Sequence, residues 1–221
     1  MKGIWLALIS TALVLPVQME AGTGTDAAVQ ADYSNPGLTP SHWTLTLHAD
    51  GAGHFHSDRA TVPPADAQAI EAPNVDRDIQ VSGEFAAHVF QLAHQHKFFA
   101  EDCESHMKVA FQGWKELRYS GPDGEGACKF NYSKDKEIQA LGDSLVAVAE
   151  TILEGARLET LLQHDPLGLD KEIDYLVEAV GDGRAQQIGA IKGILERLAG
   201  DPAVMDKVRK RARVLLARSE G

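Results

Sequence analysis

The chain has 221 residues, 44% of them apolar and 24% charged, with a formal net charge of −11 and two cysteines. So acidic a balance argues against a nucleic-acid partner, whose phosphates select positive charge. Without a leader the remaining chain, about 180 residues, is enough for one domain, or for one domain and a helical extension.

Residues 1–21 read as a signal peptide. Lys2 supplies the positive charge, and an apolar run from Ile4 to Val17 follows, broken by Ser10 and Thr11. The run is shorter than the ~20 residues that a membrane-crossing helix needs, and Pro16 would end a helix near its close. Ala21 is the best last residue of the signal. Met19 is large for the position two before it, so an uncleaved anchor stays the alternative. With no cysteine near the boundary, a lipid anchor is not expected. The expectation is an exported protein, periplasmic or extracellular, with no stable membrane span once the signal is removed. Residues 22–41 are rich in Gly, Thr, Ala, Asp, Asn and Pro, and read as a flexible linker.

The α+β domain is expected over 42–154. Trp43, Leu45 and Leu47 alternate with Thr44, Thr46 and His48, the period of a strand. A second strand covers Gly53 to Ser57. Facing Leu45 with Phe55 keeps the apolar side together and sets Thr46 opposite His54 and Thr44 opposite His56. Residues 49–51 then form the loop, with Gly51 where a left-handed residue is needed. Pro63, Pro64 and Pro73 make regular structure unexpected through 59–81. Ser82 is a good N-cap for a helix of about 83–97, with Phe85, Val89, Leu92, Ala93 and His96 to one side.

Met107, Val109 and Phe111 alternate next, with a bulge expected at Gly113. Trp114 to Ser120 and Ala127 to Ser133 read as a second hairpin around the loop 121–126. Facing Leu117 with Phe130 and Tyr119 with Cys128 puts all four on one sheet face. The pattern then changes: Ile138, Leu141, Leu145, Val148 and Ile152 form the stripe of an amphipathic helix. The fold class is therefore α+β: two β-hairpins in an antiparallel sheet with helices on one face, followed by a helical extension over 155–221.

Cys103 and Cys128 are expected to pair, joining the end of the first helix to the second hairpin. In an exported chain an isolated pair forms a disulfide, and closing a loop of about 25 residues is worth roughly 3 kcal/mol in the chain-entropy model. The spacing is not that of a zinc knuckle.

Leu158, Leu161 and Leu162 carry helix onward, and Pro166-Leu167-Gly168 interrupts it. Helical segments are expected near 169–180, 185–199 and 202–217. The stretch 181–216 resembles a single HEAT-type helical repeat. The matching residues are Gly181-Asp182-Gly183-Arg184-Ala185, then Asp201-Pro202, then Val208-Arg209, Ala212 and Leu215-Leu216. Ala203 to Lys207 lengthens the gap between the last two parts beyond the family's pattern. The resemblance implies protein binding. An ordinary helical subdomain packed on the sheet domain is the other reading of the same residues. The final helix is basic, with Lys207, Arg209, Lys210, Arg211, Arg213 and Arg218, and reads as a solvated face.

Candidate chemistry is sparse. His48, His54 and His56 share one face of the first hairpin and could hold zinc with an open position. His88, His94 and His96 cannot converge from one helix. Asp123 and Glu125 lack the spacing of a calcium loop and read as turn residues. The sequence carries no nucleophile elbow, no His-Glu-x-x-His, no phosphate loop and no dinucleotide fingerprint. The expectation is thus a non-catalytic module, with no cofactor, that binds a protein or a small ligand. The alternative is a metal-dependent hydrolase using His48, His54 and His56.

Overall fold

A computed structural model of the chain describes residues 27–58 and 74–219. The expected signal peptide, 1–21, lies outside the described residues. The structure is an antiparallel six-stranded sheet with helices on one face and a helical extension, as the periodicity indicates. The strands are β1 (Ala28–Ser34), β2 (His42–His48), β3 (Ala52–Ser57), β4 (Asp76–Gln80), β5 (Trp114–Gly121) and β6 (Gly124–Phe130), in the order β4-β3-β2-β1-β5-β6. The helices are α1 (Gly83–Gln95), α2 (Lys136–His164), α3 (Leu169–Gly181), α4 (Lys192–Gly200) and α5 (Asp206–Arg218).

Part of the expected linker, 22–41, is the central strand. β1 pairs with β2 on one side and with β5 on the other, so it joins the two hairpins into one sheet. Val29, Ala31 and Tyr33 are buried and alternate with Gln30, Asp32 and Ser34. The strand period is present, but small and polar neighbours dilute it. β4 is the second strand found where irregular chain was expected. Val75, Ile79 and Val81 are buried while Asp76, Asp78 and Gln80 face out. Such acidic alternation depresses average β-propensity, and pairing with β3 overrides it.

The first hairpin has the expected register: Leu45 faces Phe55, Thr46 faces His54 and Thr44 faces His56. Gly51 is left-handed, with φ of 83°. The second hairpin is shifted by two residues from expectation. Leu117 faces Cys128, Tyr119 faces Gly126, and Lys115 faces Phe130. Gly121 pairs with Gly124, so the loop is only Pro122-Asp123. A shift of two keeps every side chain on its own face, and the inward set is unchanged. The observed register sets two glycines of β6 against Phe98. A β-carbon on Gly124 would lie 2.3 Å from the Phe98 ring, and one on Gly126 would lie 2.5 Å from the Phe98 carbonyl oxygen. Phe98 stacks on Tyr119 with ring centroids 4.8 Å apart.

Ser82 caps α1 by accepting from the Phe85 amide, and Asp135 caps α2 by accepting from the amides of Glu137 and Ile138. Cys103 and Cys128 form the expected disulfide, with Cα atoms 5.7 Å apart. Met107, Val109 and Phe111 do not form a strand. They lie on an irregular segment with their side chains exposed. Asn131 holds that segment by accepting from the Gln112 amide and donating to the Ala110 carbonyl, and the Tyr33 hydroxyl donates to the Gln112 carbonyl.

α2 continues unbroken through Leu158, Leu161 and Leu162 to His164, and it serves two cores. Ile138 to Ala156 pack under the sheet, whereas Leu158 and Leu161 join the helical extension with Ile173, Leu176, Leu195, Val208 and Leu215. α4 starts later than expected, after a 3-10 turn at Ile188–Ile191, and α5 starts at Asp206. The basic residues of α5 are met largely within the fold. Lys207 and Arg211 contact Asp170, Arg211 reaches Asp174 at 2.5 Å, and Arg209 and Lys210 reach Asp206. Among the described residues no helix is long and apolar enough to cross a membrane.

Candidate functional site

Helices cover the inner face of the sheet. The outer face carries polar side chains from every strand, and on β1 to β4 those side chains form a continuous ladder of acid and imidazole. His42 Nε2 lies 3.2 Å from Asp32, and its Nδ1 lies 2.6 Å from Asp58. Asp58 also meets His56 Nε2 at 3.4 Å. His56 Nδ1 lies 2.9 Å from Asp76 Oδ2, and Asp76 Oδ1 lies 3.1 Å from His54 Nε2. His54 Nδ1 ends the row, 2.8 Å from Asp78. Three imidazoles thus alternate with four carboxylates, and Asp58 and Asp76 each bridge two rings.

The backbone explains the alignment. His54 and His56 are two apart on β3 and so share a face. Asp78 sits opposite His54 on β4, and Asp76 opposite His56. Asp32 is diagonal to His42 across the β1–β2 pair, in which Asp32 faces Thr44 and Ser34 faces His42. Cross-strand pairs of opposite charge stabilise such a face.

The electrostatics follow from the contacts. Burial alone pulls the His42 pKa down, but the hydrogen bonds and negative charges of Asp58 and Asp32 outweigh it, and the pKa is raised. The hydrogen bond to Asp78 raises His54, with the charges of Asp76 and Asp78 adding to it. Asp58 is held below the usual carboxylate range mainly by its hydrogen bond to His42, and Asp76 by its hydrogen bond to His56. The raised histidines contribute stability that is fully present below pH 6.5 and is lost as pH rises through their folded values. In an NMR titration of the imidazole resonances, His42 and His54 should have midpoints above 6.5. Midpoints at or below 6.5 would refute the ladder.

Of the three histidines expected as a metal set, His54 and His56 are brought together and His48 is not. Its Nδ1 is buried with no hydrogen-bond partner, and both ring nitrogens of His54 go to β4, away from β2. The carboxylates of β4 draw the ring to that side. The pattern in sequence omitted His42, Asp32, Asp58, Asp76 and Asp78. Asp76-x-Asp78 repeats the same-face spacing of His54-x-His56, and that signal was available once β4 was a strand.

Other titratable groups serve the fold. His96 is buried between Glu137 at 3.1 Å and Glu101 at 3.4 Å, with Asp135 at 3.8 Å. Among the described residues, His96, Asp135 and Glu137 are the set of three whose ligand atoms lie mutually within 4.8 Å. Asp135 is committed to capping α2, whose positive N-terminal end disfavours a cation there. His94 meets Asp123 at 3.4 Å, and His106 meets Asp102 at 2.9 Å. Asp123 accepts the Tyr119 hydroxyl at 2.5 Å, a turn contact. Burial, followed by that bond, pushes the Tyr119 pKa up to about 12.

The sequence matches no protein-family model and no curated protein.

Proposed function

We propose that this is an exported, non-catalytic binding protein whose open sheet face takes a cationic partner. The carrying observation is the ladder of four aspartates and three histidines across β1 to β4. With its imidazoles neutral this face is strongly negative, and complementary charge both steers and selects a partner. The ladder side chains lie exposed on the open face of the sheet, a placement that would not exclude water from a reaction. Its ring nitrogens are occupied by carboxylates, none of them by a hydroxyl or thiol that they could activate. The disulfide supports an oxidising compartment.

Calorimetry with an oligolysine peptide at low salt tests the proposal. Binding is expected at pH 8, weakening toward pH 5.5 as the histidines gain charge, and lost in the Asp32→Asn, Asp78→Asn double variant. Equal binding by the double variant would sink the assignment to this face. So would hydrolysis of ester, peptide or phosphate substrates that disappears in His54→Ala.

A further inference from the structure

We infer that the partner of the open face is an extended polypeptide segment carrying an apolar anchor beside its basic residues, and that Phe111 and Trp114 receive the anchor. This rests on the reading of that face as the surface for a cationic partner and adds the partner's second feature.

Single exposed apolar side chains are ordinary on a protein surface, whereas a group of them marks an interaction site. Among the described residues the exposed large apolar side chains concentrate at one end of the sheet. Met107, Val109, Phe111 and Trp114 fall within eight residues, and Leu38 lies on the β1–β2 connection at the same end. Phe111 is 51% and Trp114 40% exposed, and their rings meet edge to face with centroids 6.0 Å apart. The backbone beneath them is fixed. The Ala110 carbonyl and the Gln112 amide are hydrogen-bonded to Asn131, and the Gln112 carbonyl accepts from the Tyr33 hydroxyl. Gly113 turns over Tyr33 with φ of 107°, where a β-carbon would collide with the ring. An aromatic surface already held in place loses little freedom when a partner covers it.

Position and charge identify what covers it. Trp114 lies on the outer face opposite Ser34, which is itself opposite His42 of the ladder. With strands about 4.8 Å apart, Trp114 stands about 10 Å from His42 and about 19 Å from β4, a span that about six extended residues cover. Charge changes sign along that path. Asp32, Asp58, Asp76 and Asp78 lie across β1 to β4, whereas the exposed cations Arg118 and Lys129 stand on β5 and β6. Lys129 Nζ lies 5.7 Å from the centre of the Trp114 ring. A segment crossing the face can therefore set lysine or arginine over the ladder but not over β5, where an uncharged apolar side chain meets the aromatic pair. A membrane fits worse, because anionic lipid would face the carboxylates of the ladder. So does a second copy of the chain, which brings a net charge of −11 to an acidic face.

The test is calorimetry at pH 8 and low salt with two peptides of equal length, oligolysine and oligolysine whose terminal residue is phenylalanine. Both are titrated into the parent and into the Phe111→Ala, Trp114→Ala double variant, with circular dichroism to verify folding. The parent should bind the phenylalanine peptide about 10-fold more tightly than oligolysine, the worth of one aromatic contact. The double variant should bind the two peptides alike. Tryptophan emission of the parent should move to shorter wavelength with the phenylalanine peptide as Trp114 is covered, since Trp43 is already buried. No gain from phenylalanine, or an equal gain in the double variant, would overturn the inference and leave the cationic-partner reading standing. Binding of the phenylalanine peptide that needs Trp114 but persists in the Asp32→Asn, Asp78→Asn variant would keep the anchor site and sink the charged face. Failure of both peptides to bind would overturn both. Attachment to anionic vesicles through Trp114, or a dimer in sedimentation that the double variant loses, would give the patch to a membrane or to a second copy and overturn the peptide.

Discussion

Replacing Glu154 with glutamine should stabilise the protein above neutral pH and flatten its dependence on pH. The Glu154 side chain is 0% exposed, on α2 where the two cores meet. Arg157 contacts its Oε1, and Oε2 is buried with no donor. Burial is the largest influence on the carboxyl, and the hydrogen bond with Glu172 is next. Arg157 opposes both and does not prevail, so the pKa is pushed up to about 9. A proton on Glu154 supplies the donor that the pair of carboxyls otherwise lacks. In the unfolded chain the same group titrates near 4.5. Between these values the folded state holds a proton that the unfolded state has released, so stability falls as pH rises from about 4.5 to about 9. Glutamine keeps the shape and carries its own donor. The gain should be about 2–4 kcal/mol at pH 8 and near zero at pH 4. Urea denaturation of parent and variant across this range measures it. Parallel stability curves would show that Glu154 is ionised in the folded protein.

Removing the disulfide should cost about 3 kcal/mol, the loop-closure entropy of a 25-residue separation. The bond ties the chain beyond α1 to β6, and Cys103 and Cys128 both lie in the sheet core. Between them runs 104–113, which has no helix or strand of its own. It is held by a few bonds, among them Ser105 N–H to the Tyr132 carbonyl and the Glu104 carboxylate accepting from the Asn131 amide. Cys103→Ala, Cys128→Ala should therefore lower the denaturation midpoint and also speed hydrogen exchange at Ser105 and Gln112. Unchanged stability would mean that the unfolded chain is not constrained by the bond. Loss of stability with unchanged exchange would mean that the segment is held by its hydrogen bonds alone.

The elements most legible in the sequence are those with strong, uninterrupted periods. Leu45, Leu47 and Phe55 specify a hairpin and its register, and the stripe from Ile138 to Ile152 specifies a helix. β1 and β4 were hidden because their outward residues are Asp, Gln and Ser, and their inward residues include only a few large apolar side chains. The register of the second hairpin was out of reach for a different reason. Both registers place the same residues inward, and the observed one sets Gly124 and Gly126 against Phe98 and Ala100, where a side chain would clash. The candidate site shared the fate of its strands. His54 and His56 stood out through their spacing, whereas Asp76 and Asp78 could be matched to them only with β4 in place.

The pairing of Cys103 with Cys128 and the α+β class were legible in the sequence alone. These depend on local period and on composition, which the chain carries residue by residue. The central position of β1, the ladder across four strands and the proton held by Glu154 came only from tertiary structure. Each depends on which groups distant in the chain are brought within a few ångströms. Pairing and burial decide that, and no local pattern encodes it.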